Sequence, residues 1–265
     1  MCTVSWIFQS GGYRLYCNRD EKHTRQVALP PAVREKEGVR FVAPLDGDYG
    51  GTWIGVNQYG LSLCLLNRYQ DEAGFSSGAA EYLSRGFLPA EFMDCPTRWQ
   101  TRNRIERLDL RRYRPFTIVV LEPEPPPLLI HWTGRGLLFE SNGETAIPLV
   151  SSSYDPEGVR RSRRRHFEGL LKESGKVDGR LLERFHRSHF PTASAYSTCM
   201  HRDDARTVSF SKINVTGDDI EFTYHADSPC VGARTDEESC KLVLAGPRAV
   251  TATRANDNGP IPSPR

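Results

Sequence analysis

The sequence predicts an α+β layered fold, on three observations. Strand-like and helix-like stretches come in blocks, in the order strands, helices, strands, helices, strands, and do not alternate strictly. The strand blocks are rich in β-branched and aromatic residues and are cut by Gly, Pro, Asn and Asp clusters. The helix blocks carry their own start and stop signals.

In chain order, Met1-Cys2-Thr3-Val4-Ser5-Trp6-Ile7-Phe8 is predicted as a buried strand. Gly11-Gly12 breaks it before residues 13–17 resume the extended pattern, so a hairpin returns Asn18-Arg19-Asp20-Glu21 toward the chain start. Residues 30–48, punctuated by Pro30-Pro31 and Gly47, are predicted as a polar connection. Residues 52–57 and 61–66 form the next two strands around the turn Asn57-Gln58-Tyr59-Gly60. Residues 76–85 and 97–107 are predicted as helices, after which 116–121 and 128–132 return to β through a stiff proline loop. Ser141-Asn142-Gly143-Glu144 is a hairpin turn signal between 137–139 and 146–150. Asp155-Pro156 opens a helix that runs to about Lys172, before Ser174-Gly175, with Val159, Phe167, Leu170 and Leu171 as its buried stripe. A second helix over 179–189 and a late hairpin of 206–214 with 219–225 complete the pattern. The chain is expected to hold one domain over 1–245 and a disordered tail over 246–265, where Gly, Pro, Asn, Thr and Arg dominate.

At 265 residues the chain can bury a large core without metals or disulfides. Its 35 basic and 33 acidic side chains nearly cancel, which argues against a surface built for nucleic acid or an anionic membrane. No stretch approaches the roughly 20 apolar residues of a membrane span, so a cytoplasmic protein without an integral membrane segment is expected. The seven scattered cysteines do not form a paired disulfide framework. No Cys-x-x-Cys occurs, and although Cys199-x-His201 and His186-x-x-His189 are pairs of possible ligands, neither has a partner pair at zinc spacing. No metal and no cofactor are therefore expected.

Cys2 is the candidate nucleophile if Met1 is removed; taken alone, a cysteine so near the start reads equally as a small buried side chain of the first strand. Removal of Met1 would free an α-amine with a pKa of about 7.7–8.0 beside a thiol, so that one residue supplies nucleophile and base. A nearby cation such as Arg19 would raise the thiolate fraction, and Cys2 is expected to be the most reactive of the thiols. Along a strand Asn18 and Asp20 point to one face and Arg19 to the other. The opening Met-Cys, the run Asn18-Arg19-Asp20-Glu21, then Gly50-Gly51-Thr52-Trp53-Ile54-Gly55-Val56-Asn57 and Ser84-Arg85-Gly86 together resemble the NRDE family, also called transport and Golgi organisation protein two. Farther along, the likeness continues through Ser151-Ser152-Ser153 and Cys199-Met200-His201-Arg202.

That resemblance implies the N-terminal-nucleophile hydrolase superfamily and its four-layer α-β-β-α sandwich. More distantly the chain is similar to choloylglycine hydrolases and penicillin V acylases. On that likeness Cys2 falls on the nucleophile, Asp20 on the aspartate that orients the amine, and Asn67 on an oxyanion-hole asparagine. The family's arginine before the Asn-x-Asp segment has no equivalent, since Cys17 stands there and Arg19 lies inside the motif. Its second asparagine falls on Ser151 or a neighbour, and its late arginine on Arg202 or Arg206. His201 and Arg202, with Trp53 and Asn18, are expected to contact substrate. The run Arg160-Arg161-Ser162-Arg163-Arg164-Arg165 reads as a solvated helix surface, since no aromatic stacking platform accompanies it. The expected activity is cleavage or transfer at a linear amide or thioester through an acyl-Cys2 intermediate. The alternative is a non-enzymatic carrier or chaperone that holds haem or a lipid acyl group, a hydrophobic acidic ligand, in the same pocket.

Overall fold

The computed structural model describes residues 2–72, 82–141, 147–231 and 237–245. The tail expected to be disordered, 246–265, lies outside them. Two antiparallel sheets face each other. The first has the order β10-β1-β2-β11-β12-β13, built from β1 (Cys2–Gln9), β2 (Gly12–Lys22), β10 (Leu149–Ser151), β11 (Ala205–Val215), β12 (Asp219–His225) and β13 (Glu237–Val243). The second runs β3-β4-β5-β6-β7-β8-β9, from β3 (Leu29–Lys36), β4 (Val39–Leu45), β5 (Ile54–Asn57), β6 (Ser62–Asn67), β7 (Phe116–Leu121), β8 (Leu128–Trp132) and β9 (Leu137–Glu140).

Strand alternation distributes the apolar side chains among three cores. Cys2, Val4, Trp6, Leu15 and Cys17 point inward from the first sheet and meet Val42, Ile54, Val56, Cys64, Leu66 and Val119 of the second. On the outer face of the first sheet, Tyr16 and Phe210 pack against α3 (Pro156–Ser174) and α4 (Gly179–His186) through Phe167, Leu170, Leu182 and Phe185. On the outer face of the second, Phe41, Leu63, Ile118 and Ile130 pack on α1 (Phe87–Glu91) and α2 (Arg98–Ile105) through Leu88, Phe92 and Ile105. The result is the α-β-β-α sandwich, with β1 buried on both faces.

The helix signals act as read. The Asp155 side chain accepts from Gly158 N at the start of α3, Gly175 closes it in the left-handed conformation, and Asp178 caps α4 through Leu181 N. Two expectations fail. Residues 30–48 are not a connection but contain the hairpin β3–β4, whose turn Glu37-Gly38 has positive φ at both residues. Pro30 and Pro31 are tolerated because β3 is an edge strand. The segments around the Asn142-Gly143 signal do not pair with each other: β9 closes the edge of the second sheet, whereas β10 crosses to pair with β1 in the first. The turn itself lies outside the described residues. Of the helix expected over 76–85, residues 76–81 lie outside the described part, and 82–85 are not helical.

Candidate active site

Cys2 opens β1 between two neighbours. Its register partner on β2 is Arg19 and its partner on β10 is Ser151. Ser151 Oγ donates to the backbone oxygen of Asn67 at 2.7 Å, which ties the end of β6 in the second sheet to the strand beside Cys2. A cavity of about 650 Å³ opens at this seam, lined by Cys2, Arg19, Trp53, Asn67, Tyr69 and Arg202, among others. The sequence-separated stretches 50–57 and 84–86 meet on its wall, where Thr52 N donates to Gly86 O at 2.8 Å. A Cβ on Gly51 would stand 2.6 Å from the Gly86 carbonyl carbon, so this contact requires glycine.

Arg19 is nearly buried and lies with its guanidinium 4.1 Å over the Trp53 ring, in a salt bridge to Asp46 and 3.6 Å from Glu21. Its charge is therefore committed to Asp46, not to the thiol. The Cys2 side chain is 5% exposed, and its thiol is held well above the ordinary range, first by hydrogen bonding with Cys17 and second by burial. Cys17 Sγ in turn lies 3.7 Å from Cys64 Sγ. Arg19 is thus engaged elsewhere and is not the cation beside the thiol that was expected; Cys230 is the exposed cysteine among the described residues.

The alternation expected along β2 holds, and it separates the site residues. Asp20 and Asn18 point away from the cavity, into the layer between sheet and helices. Asp20 Oδ1 accepts from Thr207 Oγ1 at 2.7 Å and Asp20 Oδ2 from Arg163 Nη1 at 3.2 Å, with both charged side chains out of solvent. Arg163 also donates to Thr3 Oγ1 and, at 3.3 Å, to Ala195 O. It is the one member of the 160–165 arginine run that is buried, so the solvated-surface reading is wrong at that position. The signal was present in the sequence: Arg163 lies four residues from both Val159 and Phe167, on the buried stripe of α3.

Asn18, expected to bind substrate, instead donates its amide to the backbone oxygens of His186 and Thr198, both at 2.9 Å. Its Oδ1 accepts from His186 Nδ1 at 3.0 Å, so His186 Nε2 is the acceptor for Ser5 Oγ at 2.8 Å. Burial, then the nearby Arg163 charge, lower the His186 pKa to about 3. His201 does not line the cavity either. It turns toward His189, Cys199 and Cys230.

Trp53 and Arg202 do line the cavity, and Arg202 is paired with Asp204 at 2.7 Å. Asn67 Nδ2 donates to Tyr69 OH at 2.8 Å, which fixes the amide beside Cys2 and leaves its second N–H for another acceptor. Sequence reasoning missed Tyr69 and Arg114 on the cavity wall and met Arg85 only as part of a family motif. Among the described residues, six cations face three carboxylates around it, although Glu72 offsets part of the excess by pairing with Arg85 at 2.7 Å and Arg114 at 3.6 Å.

A family model described as "Transport and Golgi organisation 2" matches residues 1–183. None of the curated proteins matches. Among solved structures, the Caenorhabditis elegans ortholog of N-acylethanolamine-hydrolyzing acid amidase superposes with a TM-score of 0.51 at 13% identity, covering 88% of this chain and 95% of that one. A mutant of the conjugated bile acid hydrolase from Clostridium perfringens superposes with a TM-score of 0.54 at 9% identity, covering 92% of each chain. A second variant of that hydrolase gives 0.51 at 10% identity, over 94% of this chain and 99% of that one. These likenesses establish the fold, that of the N-terminal-nucleophile hydrolases.

Proposed function

The chain belongs to the Transport and Golgi organisation 2 family, and from that premise we propose that it is a cysteine N-terminal-nucleophile amidohydrolase or acyltransferase. The observation that carries this reading is the placement of Cys2 at the start of β1, on the wall of a cavity of about 650 Å³ shared with the Asn67 amide. The substrate is a linear amide or thioester, and the cations of the cavity, Arg202 among them, favour one with an acidic group.

Removal of Met1 places the terminal amine on Cys2 itself. A protonated amine beside the thiol favours thiolate and opposes the effects of Cys17 and burial. In the acylation step the amine takes the thiol proton, Cys2 Sγ attacks the acyl carbon, and the tetrahedral oxyanion accepts from Asn67 Nδ2. Collapse passes that proton to the leaving amine or thiol and leaves a thioester on Cys2, which water or an acceptor amine then cleaves. Asp20 is held behind β2 by Arg163 and Thr207, so its part is to fix the strand that pairs with β1.

A second reading is favoured by the buried, hydrogen-bonded state of the Cys2 thiol: a carrier that holds a hydrophobic acidic ligand in the same cavity with no chemical step. Turnover and ligand affinity measured side by side on wild type, Cys2→Ala and Asn67→Ala separate the two. Catalysis at Cys2 requires that Cys2→Ala abolish turnover while binding survives. A carrier has no turnover to lose, and its affinity follows Arg202 instead.

A further inference from the structure

Between α4 and β11 the chain runs through residues 187–204 with no helix or strand. This segment nevertheless positions several groups. Thr198 O accepts from Asn18 and Ala195 O from Arg163, and Arg202 reaches the cavity. Its backbone bonds within the middle of the segment are Cys199 N to Ser188 O at 3.0 Å and His201 N to Ser194 O at 3.3 Å, and Thr207 N to Met200 O at 2.9 Å and Arg202 N to Ala205 O at 2.8 Å tie its end to β11.

Four metal-ligating side chains converge on this segment. His189 follows α4, Cys199 and His201 sit in the middle of the loop, and Cys230 comes from the turn after β12. One ligand atom from each lies within 4.8 Å of every other. We propose that His189, Cys199, His201 and Cys230 form a tetrahedral zinc site that pins this segment against the first sheet.

The geometry carries the assignment. With Zn–S of about 2.3 Å and Zn–N of about 2.0–2.1 Å, a tetrahedral centre sets its sulfur and nitrogen ligands about 3.6 Å apart. His201 Nε2 lies 3.6 Å from Cys199 Sγ and 3.4 Å from Cys230 Sγ, so one imidazole nitrogen stands at this spacing from both sulfurs. The His189 ring centroid is 5.0 Å from that of His201, and His189 Nε2 is a buried nitrogen with no hydrogen-bond partner among the described residues. Two thiolates and two neutral imidazoles exactly balance a divalent ion, and the S₂N₂ set suits zinc. Four protein ligands make the site closed, hence structural and separate from the Cys2 cavity. A Cys199–Cys230 disulfide would instead draw the sulfurs to about 2.05 Å and leave both imidazoles without a partner. The sequence hid the site because its ligands come from three separate segments, and only Cys199-x-His201 is a local pair.

The test is cobalt titration of the full chain, reduced and stripped with a chelator. The expected result is one equivalent of Co²⁺ bound with the thiolate-to-cobalt charge transfer and strong visible absorption of a tetrahedral site, both bleached by one equivalent of Zn²⁺. Cys230→Ser, at an exposed position, and His189→Gln should each weaken binding by more than the roughly 10–100-fold that loss of an outer-shell partner costs. Cys2→Ala and Cys240→Ser should leave the spectrum unchanged. Absence of the charge-transfer band, its persistence at full strength in Cys230→Ser, its loss in Cys2→Ala, or a Cys199–Cys230 disulfide in the reduced protein would each overturn the proposal. None of these results bears on turnover at Cys2, so the two readings fail separately.

Discussion

Arg163 of α3 reaches Asp20 of β2 across 3.2 Å, with the two side chains 1% and 0% exposed. A helix arginine thereby closes over the back of the strand whose other face carries Arg19 toward the cavity. Removing one partner strands the other charge in the interior, a loss that typically costs about 3–5 kcal/mol. Arg163→Met is therefore expected to lower the urea unfolding free energy by about that amount, and Arg164→Met, at an exposed neighbour, by less than about 0.5 kcal/mol. Equal effects of the two changes would show that the pair holds nothing together.

His186 makes stability depend on pH. Its folded pKa of about 3 lies below the unfolded value of about 6.5. The unfolded chain therefore binds a proton that the folded chain refuses. The contribution is complete above pH about 6.5 and is lost as pH falls from there toward 3, at about 1.4 kcal/mol per unit. Between pH 7 and 4.5 the wild type should lose about 2–3 kcal/mol more than His186→Gln, as read by urea denaturation at each pH. Parallel losses in the two proteins would contradict a buried neutral imidazole.

Exposure sets the order of thiol reactivity toward a small reagent. In reduced, metal-free protein, brief alkylation followed by peptide mapping is expected to find label on exposed Cys230 before Cys2, whose thiol Cys17 and burial hold well above its usual range. Label on Cys2 first would mean that its thiol is more open and more acidic than its surroundings allow.

Asn67 and Tyr69 should separate in kinetics. Loss of an oxyanion donor in Asn67→Ala is expected to lower kcat by roughly 100- to 1,000-fold. Tyr69→Phe only frees the Asn67 amide from its 2.8 Å hydrogen bond, so a smaller fall in kcat with little change in KM is expected. An equal or larger loss in Tyr69→Phe would place the hydroxyl itself at the reacting atoms.

The parts of this fold that were legible in the sequence are those fixed by local chemistry. Gly11-Gly12 marks the first hairpin, and Asp155-Pro156 and Ser174-Gly175 bracket α3 within two residues. The misreadings came where tertiary context overrides a local signal. Pro30 and Pro31 disguise β3, which tolerates them only because one of its sides is unpaired. The Asn142-Gly143 signal suggested a hairpin, yet the chain there changes sheets. At the site, Cys2 and Asn67 were legible as a family pattern, and strand alternation correctly split Arg19 from Asn18 and Asp20. Arg163 was obscured by four neighbouring arginines, though its spacing to Val159 and Phe167 marked it. Cys230 beside His201 was not legible at all, since only the packed fold joins segments that distant.

The central claim is that Cys2, freed of Met1, forms an acyl thioester. Intact-mass measurement of the purified protein before and after exposure to a cysteine-directed acylating probe tests it most directly. The account requires a mass without the initiator methionine and an acyl adduct that peptide mapping places on Cys2, apart from any label on exposed Cys230. A predominant mass that retains methionine, or the absence of any acyl adduct on the Cys2 peptide, would contradict it.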